Sequence, residues 1–451
     1  MTSAPPVARA PVDLTPAEAA RVVRSVLAPL VAQGAVVRRP RMTAWAERRQ
    51  SDRTARTILA GLRERYDGAP LVLRVGTRRL VVVTHPDDVR RLLAGTPDPF
   101  TPASEEKRGA LAHFQPDGVL ISPPEDRSER RPFNEAVLQA DRPVHDDGAA
   151  FVDAVARATG RLAETARATG RLDASSFADA WWSVVLEVVL GPGARDDRRL
   201  VDVLGALRRD GNWSWLRPRR PWLRRELDRR VESYLHEPAP GSLADGVVAL
   251  GGPAAAGQVP HWLFAFDAAG AATLRALAVA SARPAVRDRL RDEWARAGAG
   301  PALLPYARAC VLESVRLWPT TLAILRESSR PTRWDDRTLP AGSGFVVVSS
   351  FFHRDTERLP DADSFVPEGW LDGRHDADWG LVPFSGGPAS CPGRNLVLLV
   401  ASHGLARLAE LDLHVARGRY LERDPLPCTM DHLGLRFGLR PGRVAGPARR
   451  R

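Results

Sequence analysis

At 451 residues, with 44% hydrophobic and 26% charged side chains, the chain has the make-up of a soluble globular protein and can bury a large core, as one big domain or two to three ordinary ones. No uninterrupted run of about 18 apolar residues occurs, so no membrane span is expected, and Asp13, Glu18 and several arginines interrupt the apolar core that a signal peptide would need. The net charge of +11 rests almost wholly on arginine, Lys107 being the single lysine; such a balance suits nucleic acid, membrane or acidic protein partners and does not choose among them. That bias, with abundant alanine and proline, points to a GC-rich bacterial genome rather than to a function. Three cysteines, Cys310, Cys391 and Cys428, are too few for a disulfide scaffold and fit a reducing cytoplasm.

In chain order, Thr15-Pro16-Ala17-Glu18 forms a capping box with proline at the first helical position, and Val22, Val26, Leu27 and Leu30 follow at helical spacing up to Gly34. A second helical stretch is predicted from about Ala44 to Tyr66. Leu71 to Val75 and Arg79 to Val83 read as a β-hairpin around Gly76-Thr77-Arg78, and His85-Pro86 opens a short helix through Leu93. Ser122 to Arg131 begins another helix, whose Arg127, Arg130 and Arg131 are equally readable as a solvated face. Residues 148 to 192 are predicted helical, with Trp181 to Leu186 as core. Between Trp213 and Arg230, WSWLRPRRPWLRRELDRR alternates aromatics with arginines. In isolation that is an aromatic-basic nucleic-acid patch, yet no recognised module accompanies it and no nucleic acid is expected. His261 to Ala282 is apolar nearly all round, as befits a helix crossing a protein's centre. An amphipathic helix follows from about Ala285 to Ala297, and Pro305 to Leu317 places Glu313 and Arg316 on one helical face. Phe345 to Val348 is a buried strand, Leu396 to Leu411 a helix, and Pro425 to Arg440 a terminal hairpin. No internal repeat is present.

The stretch Pro383 to Leu399, PFSGGPASCPGRNLVLL, sets Cys391 in a Gly- and Pro-rich loop that runs into an apolar helix. Gly386, Gly387 and Gly393 allow a tight loop that aims amide N–H groups at the sulfur, Phe384 can shield it, and the helix start adds positive dipole. A lone cysteine here would most simply be core. The pattern is longer: Phe384, Gly387, Cys391 and Gly393 match F-x-x-G-x-x-x-C-x-G, and the chain resembles the cytochrome P450 superfamily, in which that cysteine is the proximal ligand of haem iron.

The resemblance spans about residues 39 to 445 and implies a mainly α fold with small β-sheets (α+β), with haem b between the long central helix and the helix of the cysteine loop. Residues 1–38 are then an N-terminal arm with one helix and 446–451 a basic tail. Glu313 and Arg316 fall on the family's E-x-x-R brace, whose third partner, an arginine, is replaced by Gly369, with Arg374 as a possible substitute. Arg130 and Arg326 fall where the family contacts haem propionates. Asp126 stands in place of a histidine and Ala389 in place of a basic residue. On the central helix, Ala268 and Ala269 stand where the family carries its acid and alcohol for proton delivery; Asp267 is one residue off, about 100° round the helix, and Gly270 could let the helix open. His353-Arg354-Asp355 matches a structural turn, the segment after Trp213 a mobile lid, and Cys428 to His432 a hairpin tip reaching the substrate pocket.

The function implied is a monooxygenase-type oxidoreductase, in which thiolate donation to the iron favours O–O cleavage, acting on a small, largely apolar, secondary-metabolite-type molecule. Electrons would come from an acidic ferredoxin and its reductase, docking on a face carrying Arg127, Arg130, Arg131 and Arg394. With Ala268 and Ala269 in place, proton delivery by the substrate, oxidative coupling or peroxide use is open. The rival reading is a non-catalytic haem-binding or sensor protein.

Overall fold

The computed structural model describes residues 9–440 apart from 253, 299, 377 and 417; the expected basic tail lies outside the described residues. The fold is mainly helical with small sheets. In chain order the strands are β1 (Val12–Asp13), β2 (Leu71–Val75), β3 (Arg78–Val82), β4 (Phe100–Thr101), β5 (Arg171–Asp173), β6 (Ala323–Ser328), β7 (Thr332–Trp334), β8 (Arg337–Leu339), β9 (Gly344–Val348), β10 (Leu413–Val415) and β11 (Arg436–Leu439). They make a six-stranded sheet ordered β1-β2-β3-β9-β6-β4, a three-stranded sheet β10-β11-β5 and the pair β7-β8. The β2–β3 hairpin turns at Gly76, whose φ of 61° favours glycine. Strand β9 is buried at every residue, because it runs inside the sheet between β3 and β6 and is covered on both faces.

Residues 9–38 are not a separate arm. Strand β1 pairs in parallel with β2, and the capped helix from Pro16 sends Val22 and Val26, both fully buried, into the same core as Leu59, Leu71 and Val81. The stretch expected as one helix from Ala44 to Tyr66 is two, Pro40–Arg49 and Ser51–Arg65, broken at Gln50 with φ 47°. The break is tertiary: Gln50 Oε1 accepts from the amides of Cys428 and Thr429, and its Nε2 donates to Thr429 O. Residues 148 to 192 divide at Gly170 (φ 71°) into Gly148–Thr169 and Ala174–Leu190, since β5 leaves to pair with β11. The terminal hairpin is built from β10 and β11, rather than from within 425–440, and the segment 428–432 is clasped onto Gln50, Glu47 and Asp52.

The helix Val259–Ala282 crosses the centre, packed against Ala174–Leu190, Pro305–Leu317 and Arg394–Ala409. By length and composition, the stretch Ala256–Ala282 could cross a membrane, but 72% of its apolar window is buried inside the protein, which is what a core helix requires.

Candidate functional site

Cys391 sits between a tight loop and the helix Arg394–Ala409. Its amide donates to Phe384 O at 2.9 Å, and Ser385 N donates to Val382 O, so the loop folds back on itself. Gly387 has φ 64°, and a Cβ there would lie 2.1 Å from Leu93 O; no other residue fits without moving the neighbouring backbone. At Gly393 a Cβ would meet Cys391 Sγ at an ordinary 4.0 Å, and its contribution is the amide directed at the thiol. Burial raises the Cys391 pKa, opposed by the Gly393 amide and by the charges of Arg131 and Arg394. A thiol so placed gains its negative charge only with a cation beside it. Cys391 retains accessible surface although burial dominates its titration. The same holds for Lys107 and His261.

Three cations influence one another here, and each hydrogen-bonds to neutral groups rather than to a carboxylate. Arg326, 2% exposed on β6, donates Nε to Thr96 Oγ1 and NH2 to Ser385 Oγ in the cysteine loop. Lys107 Nζ donates to Leu325 O at 3.1 Å, and the buried Arg127 donates to Val119 O at 2.9 Å. All these acceptors are neutral. Burial, then the charge of Arg326, lowers the Lys107 pKa well below its ordinary value; burial, then Arg127, lowers Arg326 to about 10; burial, then Arg131, lowers Arg127. Clustered buried cations are costly unless an anion completes them. A haem, bringing two propionates to the cations and an iron to the thiolate, fits this donor set.

Arg130 is engaged differently from the expectation. Its guanidinium reaches Asp126 at 3.1 Å and Asp117 at 3.6 Å, and donates to Ser122 Oγ. Asp126, which would repel a propionate, is thereby turned to Arg130, and the neighbouring Arg127 is the buried, unpaired cation. The expected docking face is corrected in the same way, since Arg127 is 7% exposed and cannot be on it. Arg131 is tied to Glu135 and Ser390 O, and Arg394 is exposed. Both border a cavity of about 640 Å³ at Cys391, together with Glu135 and Asp141.

On the central helix Ala268 is exposed and Ala265 half-exposed, while Ala269 is 5% exposed. Asp267 faces elsewhere: its Oδ2 accepts from Arg208 at 2.5 Å, which also holds Val36 O. Gly270 is buried against Trp181, where a Cβ would meet the indole at 2.7 Å, so packing accounts for it. Trp181 Nε1 donates to Phe266 O and Thr273 Oγ1 to Ala269 O. One residue that sequence reasoning missed, His261, shares a face with Ala265 and Ala268. Its Nδ1 is 2.7 Å from the buried Gln115 Oε1, and burial lowers its pKa to about 4. No motif marks it. Lys107 was also missed as a site residue, although its being the only lysine was a usable signal.

Behind the loop, Glu313 and Arg316 are fully buried and joined at 2.6 and 2.8 Å. The remaining Arg316 donors reach the carbonyls of His353, Ala362 and Ser364. Glu313 also accepts from Val366 N at 2.8 Å and Trp370 Nε1 at 2.9 Å. Arg374 does not take part, as it pairs with Asp372. At Gly369, where the resemblance leads one to expect an arginine, a Cβ would lie 2.3 Å from the His375 ring, and it is the neighbouring Trp370 indole that donates to Glu313.

Residues 276–409 match the cytochrome P450 family model. A cyclooctat-9-en-7-ol 5-monooxygenase of Streptomyces melanosporofaciens is 33% identical over 108 residues, 24% of each chain. A mitochondrial 1,25-dihydroxyvitamin D(3) 24-hydroxylase of Mus musculus is 32% identical over 139 residues, 29% of this chain and 25% of the relative. The cytochrome P450 monooxygenase orf4 of Eupenicillium brefeldianum is 34% identical over 176 residues, 34% of this chain and 35% of the relative. The chain thus spans about a quarter to a third of the curated relatives it matches. The family match encloses both the Glu313–Arg316 brace and the Cys391 loop, so over residues 276–409 the chain is similar to the cytochrome P450 family.

Proposed function

We propose that the chain is a haem-thiolate monooxygenase acting on a small, largely apolar molecule, with electrons from an acidic ferredoxin-type donor. The observation that carries this reading is the cluster of Lys107, Arg127 and Arg326, whose hydrogen bonds go to neutral acceptors and which is linked through Ser385 to the Cys391 loop. Bound there, haem supplies oxygen activation and C–H oxidation. Cys391 is assigned as its protein ligand, with Lys107, Arg127 and Arg326 as propionate partners and Arg130 acting through Asp126 to keep that carboxylate away. Phe384, Gly387 and Gly393 shape the loop, and Glu313 with Arg316 braces its support.

The accessible residues of the central helix set the substrate's chemistry. Ala265 and Ala268 offer small apolar surface, with Phe264 beside them. Ala268 and Ala269 carry no proton, the Thr273 hydroxyl is spent on Ala269 O, and Asp267 on Arg208. A proton must therefore arrive through water or from a polar group of the substrate, which favours substrate-assisted delivery, oxidative coupling or peroxide use. Arg394 and the exposed edge of Arg131 favour an acidic donor near the Cys391 loop, and the scarcity of cysteine favours a cytoplasmic setting.

The test is the absorption of the reduced, carbon-monoxide-bound protein. The wild-type chain should show the thiolate-haem spectrum and Cys391→Ser should lose it; retention of that spectrum in the variant refutes the ligand assignment. Substrate-dependent electron consumption then separates a monooxygenase from a non-catalytic haem sensor, the reading motivated by the missing acid and alcohol.

A further inference from the structure

The central helix Val259–Ala282 is buried along its length except at His261, Phe264, Ala265, Ala268 and Ala271, at Asp267, which Arg208 holds, and at the terminal Ala282. The first five recur at spacings of three and four, so they share one face, and His261 is the single polar side chain on it. From His261 to Ala268 is about 10 Å along the helix axis.

The histidine is fixed in place. Its Nδ1 lies 2.7 Å from Gln115 Oε1, and its ring leans on Phe264, which Phe114 meets edge-on at 5.3 Å. Gln115 is fully buried in the loop that follows the helix Glu105–Leu111, and that loop is pinned to the start of the central helix. Gln258 Nε2 donates to Asp117 O at 2.8 Å, its Oε1 accepts from Val119 N and Asn134 Nδ2, and Trp262 Nε1 donates to Asn134 Oδ1. Gln258 and Asn134 thus use both ends of their amides. Gln115 uses one, and its Nε2 is buried without a partner. An unpaired buried N–H is a cost that leucine or methionine would not carry there; what the glutamine supplies is its hold on the His261 ring. A carbonyl oxygen only accepts, so the imidazole proton stands on Nδ1 and Nε2 keeps its lone pair. Among the described residues no donor reaches that nitrogen, and burial keeps the ring neutral down to about pH 4.

We propose that His261 Nε2 is the hydrogen-bond acceptor for a hydroxyl or N–H group of the substrate, whose apolar body lies along the same helix face against Phe264, Ala265 and Ala268. Gln115 is the positioning residue that aims the accepting nitrogen. The substrate class that follows is a neutral, largely apolar molecule with a protic group about 10 Å from the end that meets Ala268. A carboxylate in that place finds no counter-charge on a neutral imidazole. The inference rests on the haem-thiolate reading of the same site and adds to it the group by which the substrate is held.

The probes are 1-alkylimidazoles with tails of about four to ten carbons, a range that brackets about 10 Å, each compared with the same tail ended in a hydroxyl and in a methyl ether. Imidazole ligates haem iron and shifts the Soret band, so affinity is read by spectral titration of the full holoprotein, without turnover. At one tail length the wild-type chain should favour the hydroxyl over the alkyl member by roughly three- to tenfold, the size of one neutral hydrogen bond, and the ether, which cannot donate, should gain nothing. His261→Phe should abolish the preference while the alkyl members still bind, and His261→Gln should restore part of it. Gln115→Met should weaken the preference; a merely structural role would not, because both probes are read in the same protein. Equal affinity of hydroxyl and alkyl members at every length, an equal gain from the ether, or a preference unchanged in His261→Phe would each overturn the inference. Absence of a Soret shift with every imidazole would instead refute the haem reading, and this inference with it.

Discussion

Asp88→Asn isolates a single buried charge. Asp88 stands in the first turn of the helix Pro86–Ala94, where the dipole favours a carboxylate, yet it is 1% exposed and its Oδ2 has no hydrogen-bond partner. Burial outweighs the attraction of Arg9 and Arg91 and pushes its pKa from 3.8 up to about 7. Between those values the folded protein keeps a proton that the unfolded chain has released, so stability falls as pH rises through the window and the loss is complete above about 7. A shift of this size corresponds to on the order of 4 kcal/mol, accumulating at about 1.4 kcal/mol per pH unit. Asn keeps the shape and removes the charge. In matched denaturant titrations the variant should therefore gain on the wild type steadily from pH about 4 to about 7 and hold a constant advantage beyond. Using the difference between the two proteins cancels the other titrating groups. A difference independent of pH across that window, or one growing toward acid, would refute the assignment.

Arg316→Met should cost roughly 3–5 kcal/mol, because Glu313 remains buried without its counter-charge; a loss under about 1 kcal/mol in chemical denaturation would show that the carbonyls around Arg316 find other donors. Trp370→Phe removes one donor from Glu313 and should cost about 1–3 kcal/mol, whereas Arg374→Ala should be nearly neutral. Gly387→Ala must bear about 1–2 kcal/mol of left-handed strain plus the collision with Leu93 O, and haem retention on gel filtration should fall. His261 is charged only below about pH 4, so ligand affinity read by spectral titration should stay flat from about pH 5.5 to 8; a step near the ordinary histidine value would place its ring in water.

Local signals carried most of the elements, because capping, turn chemistry and apolar period act within a few residues. The capping box at Thr15 and Glu18 closes on both sides as its pattern requires, and the helix Pro305–Leu317 has the predicted ends. The misreadings share one cause, a distant partner. Gln50 breaks a continuous helical pattern because residues 428–429 bind its side chain, and residues 9–38 join the core because β2 offers β1 an edge.

The same cause separates what was legible in the site from what was not. Cys391 and its glycines lie within one short loop, so a linear motif contains them. The cation cluster is assembled from three segments, around 107, 127 and 326, and each member taken singly has the appearance of a surface charge. Choosing Arg127 over Arg130 needed the knowledge that Asp126 and Asp117 converge on the latter. The departures from the family pattern are also read correctly only in three dimensions: an aspartate where a histidine is usual is matched by an arginine one turn on, and a glycine where an arginine is usual is matched by the His375 ring that fills its space and the Trp370 indole that replaces its hydrogen bond. Such a substitution is therefore weak ground for inferring a lost function until its neighbours are known. By that standard Ala268 and Ala269 are the departure that matters, since the alcohol and the carboxylate nearest to them, Thr273 and Asp267, are already bound to partners of their own.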